Sequence, residues 1–193
     1  MNTEQPKVLD SYDLNNKSLL AKSFIRIATN YEILQNQRLQ KKYLLKALNL
    51  SRKNSQLQSL IYQNLGTLFF QLNNPNKALL YYQKSYLISP SPTIDFAIAA
   101  CYLKLKDLIN YEKYLSKAVS IVSSGGEAFK AYGQLMEISK RDILSAIKYY
   151  KIATLLEEKP EPYILLATSY LKNKEIDNAY KIINTGLYSF PRS

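Results

Sequence analysis

The chain has no histidine and no tryptophan among its 193 residues. Without histidine it lacks the side chain most often used as a general base near neutral pH, and the commonest metal ligand. Its one cysteine, Cys101, excludes an intramolecular disulfide and has no histidine to activate it as a nucleophile. It reads as a packing residue. Glycine is scarce, at five residues, and none forms a phosphate-cradling loop; Gly125-Gly126 stands before Glu127 and a helix and reads as a turn. The carboxylates Glu157-Glu158 fall near a helix end and are expected to face solvent. No apolar run is long enough to span a bilayer. Residues 1–16 have no apolar core flanked by basic residues, so a cytoplasmic chain is expected, with a secreted or periplasmic mature chain as the alternative. No stretch alternates apolar and polar residues as strands do. No catalytic constellation is legible, and no enzyme activity, cofactor or metal site is expected.

What the chain does have is a pattern that returns about every 34 residues. Tyr62, Leu65, Gly66, Phe69, Ala78, Tyr82, Ser85 and Pro90 are matched in type by Tyr163, Leu166, Ala167, Tyr170, Ala179, Ile183, Gly186 and Pro191. The first four positions of each set lie three or four apart and share one face of a helix, and the next positions do the same on a second. The small residues allow two antiparallel helices to approach closely. Asn74-Pro75 and Ser91-Pro92 supply a capping residue followed by proline in the first helical position. Self-similarity at this period marks a helical solenoid.

The leading aromatics are Phe24, Tyr62, Phe96, Phe129 and Tyr163, separated by 38, 34, 33 and 34 residues. Units 2 and 5 keep the pattern best. Unit 4 (Phe129, Tyr132, Gly133, Met136, Ala146, Tyr150, Ala153, Pro160) carries extra residues. Unit 3 has lost one and holds Tyr111 where a small residue is expected. Unit 1 holds Gln40 at that same place. These residues resemble the tetratricopeptide repeat family. The resemblance implies an all-α, right-handed solenoid of about five antiparallel helix pairs, with units at 21–54, 59–92, 93–125, 126–159 and 160–193. The expected organisation is a flexible segment over 1–16 and one solenoid over 17–193.

The resemblance also implies a function. In this family the first helices line a concave groove that binds a protein or peptide partner, so a non-catalytic adaptor or assembly scaffold is expected. The family's groove positions fall on Gln63, Thr67 and Phe70 in unit 2, on Ala97, Cys101 and Lys104 in unit 3, and on Lys130, Gln134 and Glu137 in unit 4. This lining would suit an extended or helical peptide anchored near Phe70. The family's clamp for a chaperone C-terminal carboxylate is not reproduced: its places hold Gln63, Thr67, Ile98, Glu127 and Ala131.

Charge supplies an alternative. Lys and Arg number 26 against 15 Asp and Glu, a net charge of +11. Residues 15–55 alone carry nine basic residues against one acid, Glu32. Arg38, Lys42, Lys46 and Lys53 recur at helical spacing, a basic stripe able to meet nucleic acid or anionic lipid headgroups. Solvated lysine-rich faces are common in solenoids, and only Tyr43 accompanies the stripe as a stacking aromatic. At the other end Tyr180, Ile182, Ile183, Leu187 and Phe190 make the last helix rich in apolar residues, so self-association through unit 5 is a further expected contact.

Overall fold

A computed structural model of the chain describes residues 5–120 and 125–191. Among the described residues there are ten helices and no strand. They fall in two compact units, Met1–Asp107 and Leu108–Ser193. The first holds α1 (Gln5–Ile33), α2 (Gln37–Leu50), α3 (Ser55–Gln71), α4 (Pro75–Ile88) and α5 (Pro92–Lys104). The second holds α6 (Leu108–Ala118), α7 (Gly126–Ile138), α8 (Ile143–Leu156), α9 (Glu161–Lys172) and α10 (Ile176–Ser189). Within each unit every helix packs on its neighbour in the chain. The unit boundary falls inside the expected third repeat, between α5 and α6, and residues 121–124 at the end of that repeat lie outside the described residues. Helix α1 begins at Gln5, inside the segment expected to be flexible; residues 1–4 of that segment lie outside the described residues.

The turn inside each helix pair follows one design. Gln35, Asn73, Lys106, Arg141 and Lys174 all have positive φ, between 53° and 62°. In four of the five turns the next N–H reaches back five residues: Asn36 to Tyr31 O, Asn74 to Phe69 O, Asp107 to Tyr102 O and Glu175 to Tyr170 O. That is the Schellman closure, which satisfies carbonyls left open at a helix end. In the fourth repeat Asp142 N–H reaches Met136 O instead, so an extra residue of that unit sits in this turn. The residue after the left-handed one then caps the next helix. Asn36, Asn74 and Asp142 accept from the backbone N–H groups of Leu39, Lys77 and Ser145 at 3.1, 3.1 and 3.0 Å. Between pairs Asn54 and Ser91 do the same, at 3.0 and 3.3 Å.

Packing explains the small residues. A Cβ on Gly66 would lie 2.6 Å from the Tyr82 ring, and one on Gly133 would lie 2.6 Å from the Tyr150 ring. Each glycine therefore makes room for the tyrosine of its partner helix. Where the tyrosine's place is taken by Leu44 or Ile183, the glycine's place holds Ala28 or Ala167. A smaller partner leaves room for one methyl group. Ser59 and Ser85 meet at the other end of the α3–α4 pair, hydroxyl to hydroxyl at 2.8 Å, with Ser85 also donating to Ser59 O at 2.9 Å. Both are buried, and each gives the other the partner a buried hydroxyl requires.

Candidate functional site

On α3 the side chains of Gln63, Thr67 and Phe70 are four and three residues apart and share one stripe of the helix. All three are partly exposed. The Thr67 hydroxyl shares a hydrogen bond with the Tyr82 hydroxyl at 3.1 Å, and burial pushes the Tyr82 phenol up to about 12. Lys104, at the end of α5, lies over the Phe70 ring with its Nζ 4.5 Å from the centroid and donates to Asn73 Oδ1 at 3.1 Å. An apolar ring, a cation and neutral polar groups are thus gathered in the first unit. Asn73 was not among the sequence-predicted residues. Its left-handed place in the turn following α3, next to the groove stripe, is visible only in the structure.

Cys101 must be removed from the open lining. It is wholly buried, and burial raises its thiol to about 12, with Lys104 pulling weakly the other way. The sulfur is a packing atom and is overwhelmingly protonated at neutral pH.

The second unit treats its predicted groove residues differently. Lys130, on α7, is 7% exposed, because it is drawn into a cluster of carboxylates. Its Nζ stands 2.8 Å from Glu127, 2.7 Å from Glu161 and 4.0 Å from Glu157, while Lys159 pairs with Glu127 at 3.1 Å. Burial would lower the Lys130 pKa; the hydrogen bonds to Glu127 and Glu161 outweigh it and hold the ammonium above its ordinary value. Glu127 is held below the ordinary carboxylate value by Lys130 and Lys159, against the opposing effect of its burial. Glu157 corrects the expectation of a solvent-facing carboxylate. Its side chain is 7% exposed, neither oxygen has a hydrogen-bond partner, and burial raises its pKa. Gly126 explains how it fits, since a Cβ there would come within 2.3 Å of Glu157 Cγ.

Glu137 is also committed internally. It accepts from the Tyr150 hydroxyl at 2.9 Å and from Ser169 at 3.4 Å, and it pairs with Lys172. Burial opposes its ionisation, but the donors from Lys172 and Tyr150 prevail and hold it below the ordinary value. Of the three predicted groove residues here, only Gln134 keeps a partly exposed side chain with no such commitment. No group of three or more acidic or sulfur side chains among the described residues is arranged to hold a metal ion.

Arg38, Lys42 and Lys46 are exposed at four-residue spacing on α2, whereas Lys53 lies in the turn beyond that helix. Lys46 sits 5.4 Å over both Phe24 and Tyr43. Tyr43 is stacked on Tyr31 at 5.6 Å and lies tilted against Phe24 at 5.7 Å, so its ring is engaged within the first helix pair. On α10, Ile176, Tyr180, Ile183 and Leu187 are exposed at one turn's spacing. Their register equivalents on α8 include Ile147 and Tyr150, which are buried with Leu166 and Tyr170 of α9. No helix among the described residues is long and apolar enough to cross a membrane.

Residues 60–92, most of α3 with its turn and α4, match the family model of the tetratricopeptide repeat. A comparison with curated proteins returns no match. Solved structures do match. BtubC (BKLC) from P. vanneervenii is 16% identical over 96% of this chain and 85% of that one, with a TM-score of 0.74. PilF of Pseudomonas aeruginosa is 16% identical over 90% of this chain and 78% of that one, also at 0.74. YrrB, described as a TPR protein with an unusual peptide-binding site, is 14% identical over 88% and 86%, at 0.59. The fold is that of the tetratricopeptide repeat. The tetratricopeptide repeat matched by the family model carries Gln63, Thr67 and Phe70 and the Gly66–Tyr82 contact.

Proposed function

We propose that the chain is a non-catalytic interaction scaffold whose first compact unit takes a peptide or helix of a partner protein. The observation that carries this reading is the patch of Phe70, Lys104, Gln63 and Thr67. There an apolar ring held under a lysine lies beside neutral hydrogen-bonding groups. A ring of that kind anchors an apolar side chain while Gln63 and Asn73 meet main-chain groups. The likeness to YrrB supports a peptide as the occupant, and the buried thiol and missing histidine count against chemistry. The ion-paired groups of the second unit, Lys130 and Glu137 among them, serve that unit's own packing.

The test is capture of partners from a native extract by the purified chain, with and without nuclease, at low and high salt. A discrete protein should survive both treatments, disappear with Phe70→Ala and Lys104→Ala, and persist when Arg38, Lys42 and Lys46 are changed to Glu. The opposite pattern would transfer the function to α2, as a binder of nucleic acid or anionic lipid. Its contacts would weaken on the order of a thousandfold between ~50 and ~200 mM salt. The exposed α10 stripe supports a second contact, between copies of the chain. Its mass by sedimentation should then rise with concentration and stay monomeric in Tyr180→Lys.

A further inference from the structure

The left-handed residue of each turn gives the five second helices, α2, α4, α6, α8 and α10, a common ruler. Seven residues beyond it stand Lys42, Lys113, Lys148 and Lys181, with Leu80 in the second pair. Eleven beyond it stand Lys46, Lys84 and Lys117, and fourteen beyond it stand Leu87, Leu155 and Tyr188. Steps of four and three keep these positions on one face of each helix, and all these side chains are exposed. No acid occupies any of the three positions in any second helix, although the chain holds 15. Lys42 and Lys46 of the α2 stripe are thus one instance of a face repeated along the chain.

Two features separate this face from an ordinary solvated one. Eight residues beyond the turn residue a tyrosine recurs as Tyr43, Tyr81 and Tyr114, and the lysine three further on lies over it. Lys46, Lys84 and Lys117 stand 5.4, 5.6 and 5.0 Å from those ring centroids. Attraction to the ring holds each ammonium in place while leaving it exposed, so less side-chain freedom is lost when an anion meets it. The second feature is apolar. Leu87, Leu155 and Tyr188 are each the penultimate residue of their helix, and they are 84%, 84% and 91% exposed. A nucleic-acid backbone in water offers such side chains nothing. A bilayer offers acidic headgroups to the lysines and the acyl boundary to the apolar ends. We propose that this face of the second helices docks on a membrane surface rich in anionic lipid. The attachment is peripheral, and each compact unit carries the combination by itself, Lys84 with Leu87 on α4 and Lys148 with Leu155 on α8. It draws on none of the residues of the groove reading and stands apart from it.

The full chain is mixed with vesicles of phosphatidylcholine, with and without about 30% phosphatidylserine, at ~0.15 M salt, and bound protein is read by flotation. Binding should be at least tenfold stronger to the anionic vesicles. Lys46→Gln, Lys84→Gln and Lys117→Gln together should weaken it on the order of a hundredfold, each lysine contributing roughly fivefold near such a surface. Removing the same charge off the face, with Lys22→Gln, Lys53→Gln and Lys174→Gln, should weaken it less than tenfold. Leu87→Ser, Leu155→Ser and Tyr188→Ser together should weaken it at least tenfold. All these positions are exposed, so the variants should keep the helical circular dichroism of the parent. Because the chain has no tryptophan, Leu87→Trp and Tyr188→Trp each place a single reporter, one in either unit. Both emissions should shift to the blue on anionic vesicles. Equal binding to the two kinds of vesicle, equal losses in the two lysine triples, or a reporter that stays unshifted would overturn the proposal. A short DNA duplex that bound more tightly than the vesicles, and as well in the serine triple, would overturn it in favour of nucleic acid. Partner capture should survive the lysine and serine triples on the face, so failure here and failure of the groove reading are separate results.

Discussion

The two compact units use the same device and finish it with different chemistry. In each a glycine on the first helix admits a tyrosine ring from the second, Gly66 for Tyr82 and Gly133 for Tyr150. The tyrosine hydroxyl then emerges beside the stripe expected to line the groove. In the first unit it meets a neutral hydroxyl, Thr67, and the neighbouring side chains stay available. In the second it meets Glu137, already engaged by Ser169 and Lys172, and Lys130 is enclosed by carboxylates. One scaffold can therefore present a receptive surface or consume the same positions in its own stability. Residue type decides which.

The strongest way to break the comparison is to fill the glycines. Gly66→Val and Gly133→Val should each cost about 3 kcal/mol, as overpacking of a buried ring does. Similar losses in the urea midpoint, each centred on its own unit by amide exchange, would show that the device is shared; a large loss at one site alone would divide the units. Next come the hydroxyls. Tyr150→Phe removes a bond to a charged acceptor and should cost about 2 kcal/mol. Tyr82→Phe removes a neutral bond and should cost about 1 kcal/mol. Equal costs would contradict the different roles assigned to Glu137 and Thr67.

Acid sharpens the contrast further. Glu137 and Glu127 have folded pKa values below the ordinary 4.5, so the stability they contribute is present above that pH and is lost as pH falls through the folded values. Glu157 has the reverse sign: its contribution is full below the ordinary value and is lost as pH rises through its raised folded value. Amides of the second unit should accordingly lose protection first on acidification, Glu137→Gln should flatten that dependence, and Glu157→Gln should raise stability at neutral pH. Uniform loss of protection in both units would refute this. The smallest effect is in the turns. Lys106→Gly relieves a left-handed backbone at some cost in chain entropy and should raise stability by about 0.5 kcal/mol, read from the urea midpoint.

Much of this architecture was legible in residue order alone. The period of the aromatic, small and alanine positions specified helix pairs, and Asn74-Pro75 and Ser91-Pro92 marked where α4 and α5 begin. Those signals are local: apolar spacing selects a helix face, and a capping side chain acts within one turn. The left-handed residue in each of the five turns was not legible, because Gln35, Asn73, Lys106, Arg141 and Lys174 include no glycine and their conformation is imposed by the helices they join. Nor were the fates of Cys101, Lys130, Glu137 and Glu157. A lysine reads as solvated until Glu157 and Glu161, from beyond its own helix, join Glu127 around it. The sequence by itself determined the elements and their pairing, since these depend on neighbours within a few turns. Only the tertiary structure decided which polar groups remain open to a partner, because availability depends on groups brought together from distant parts of the chain.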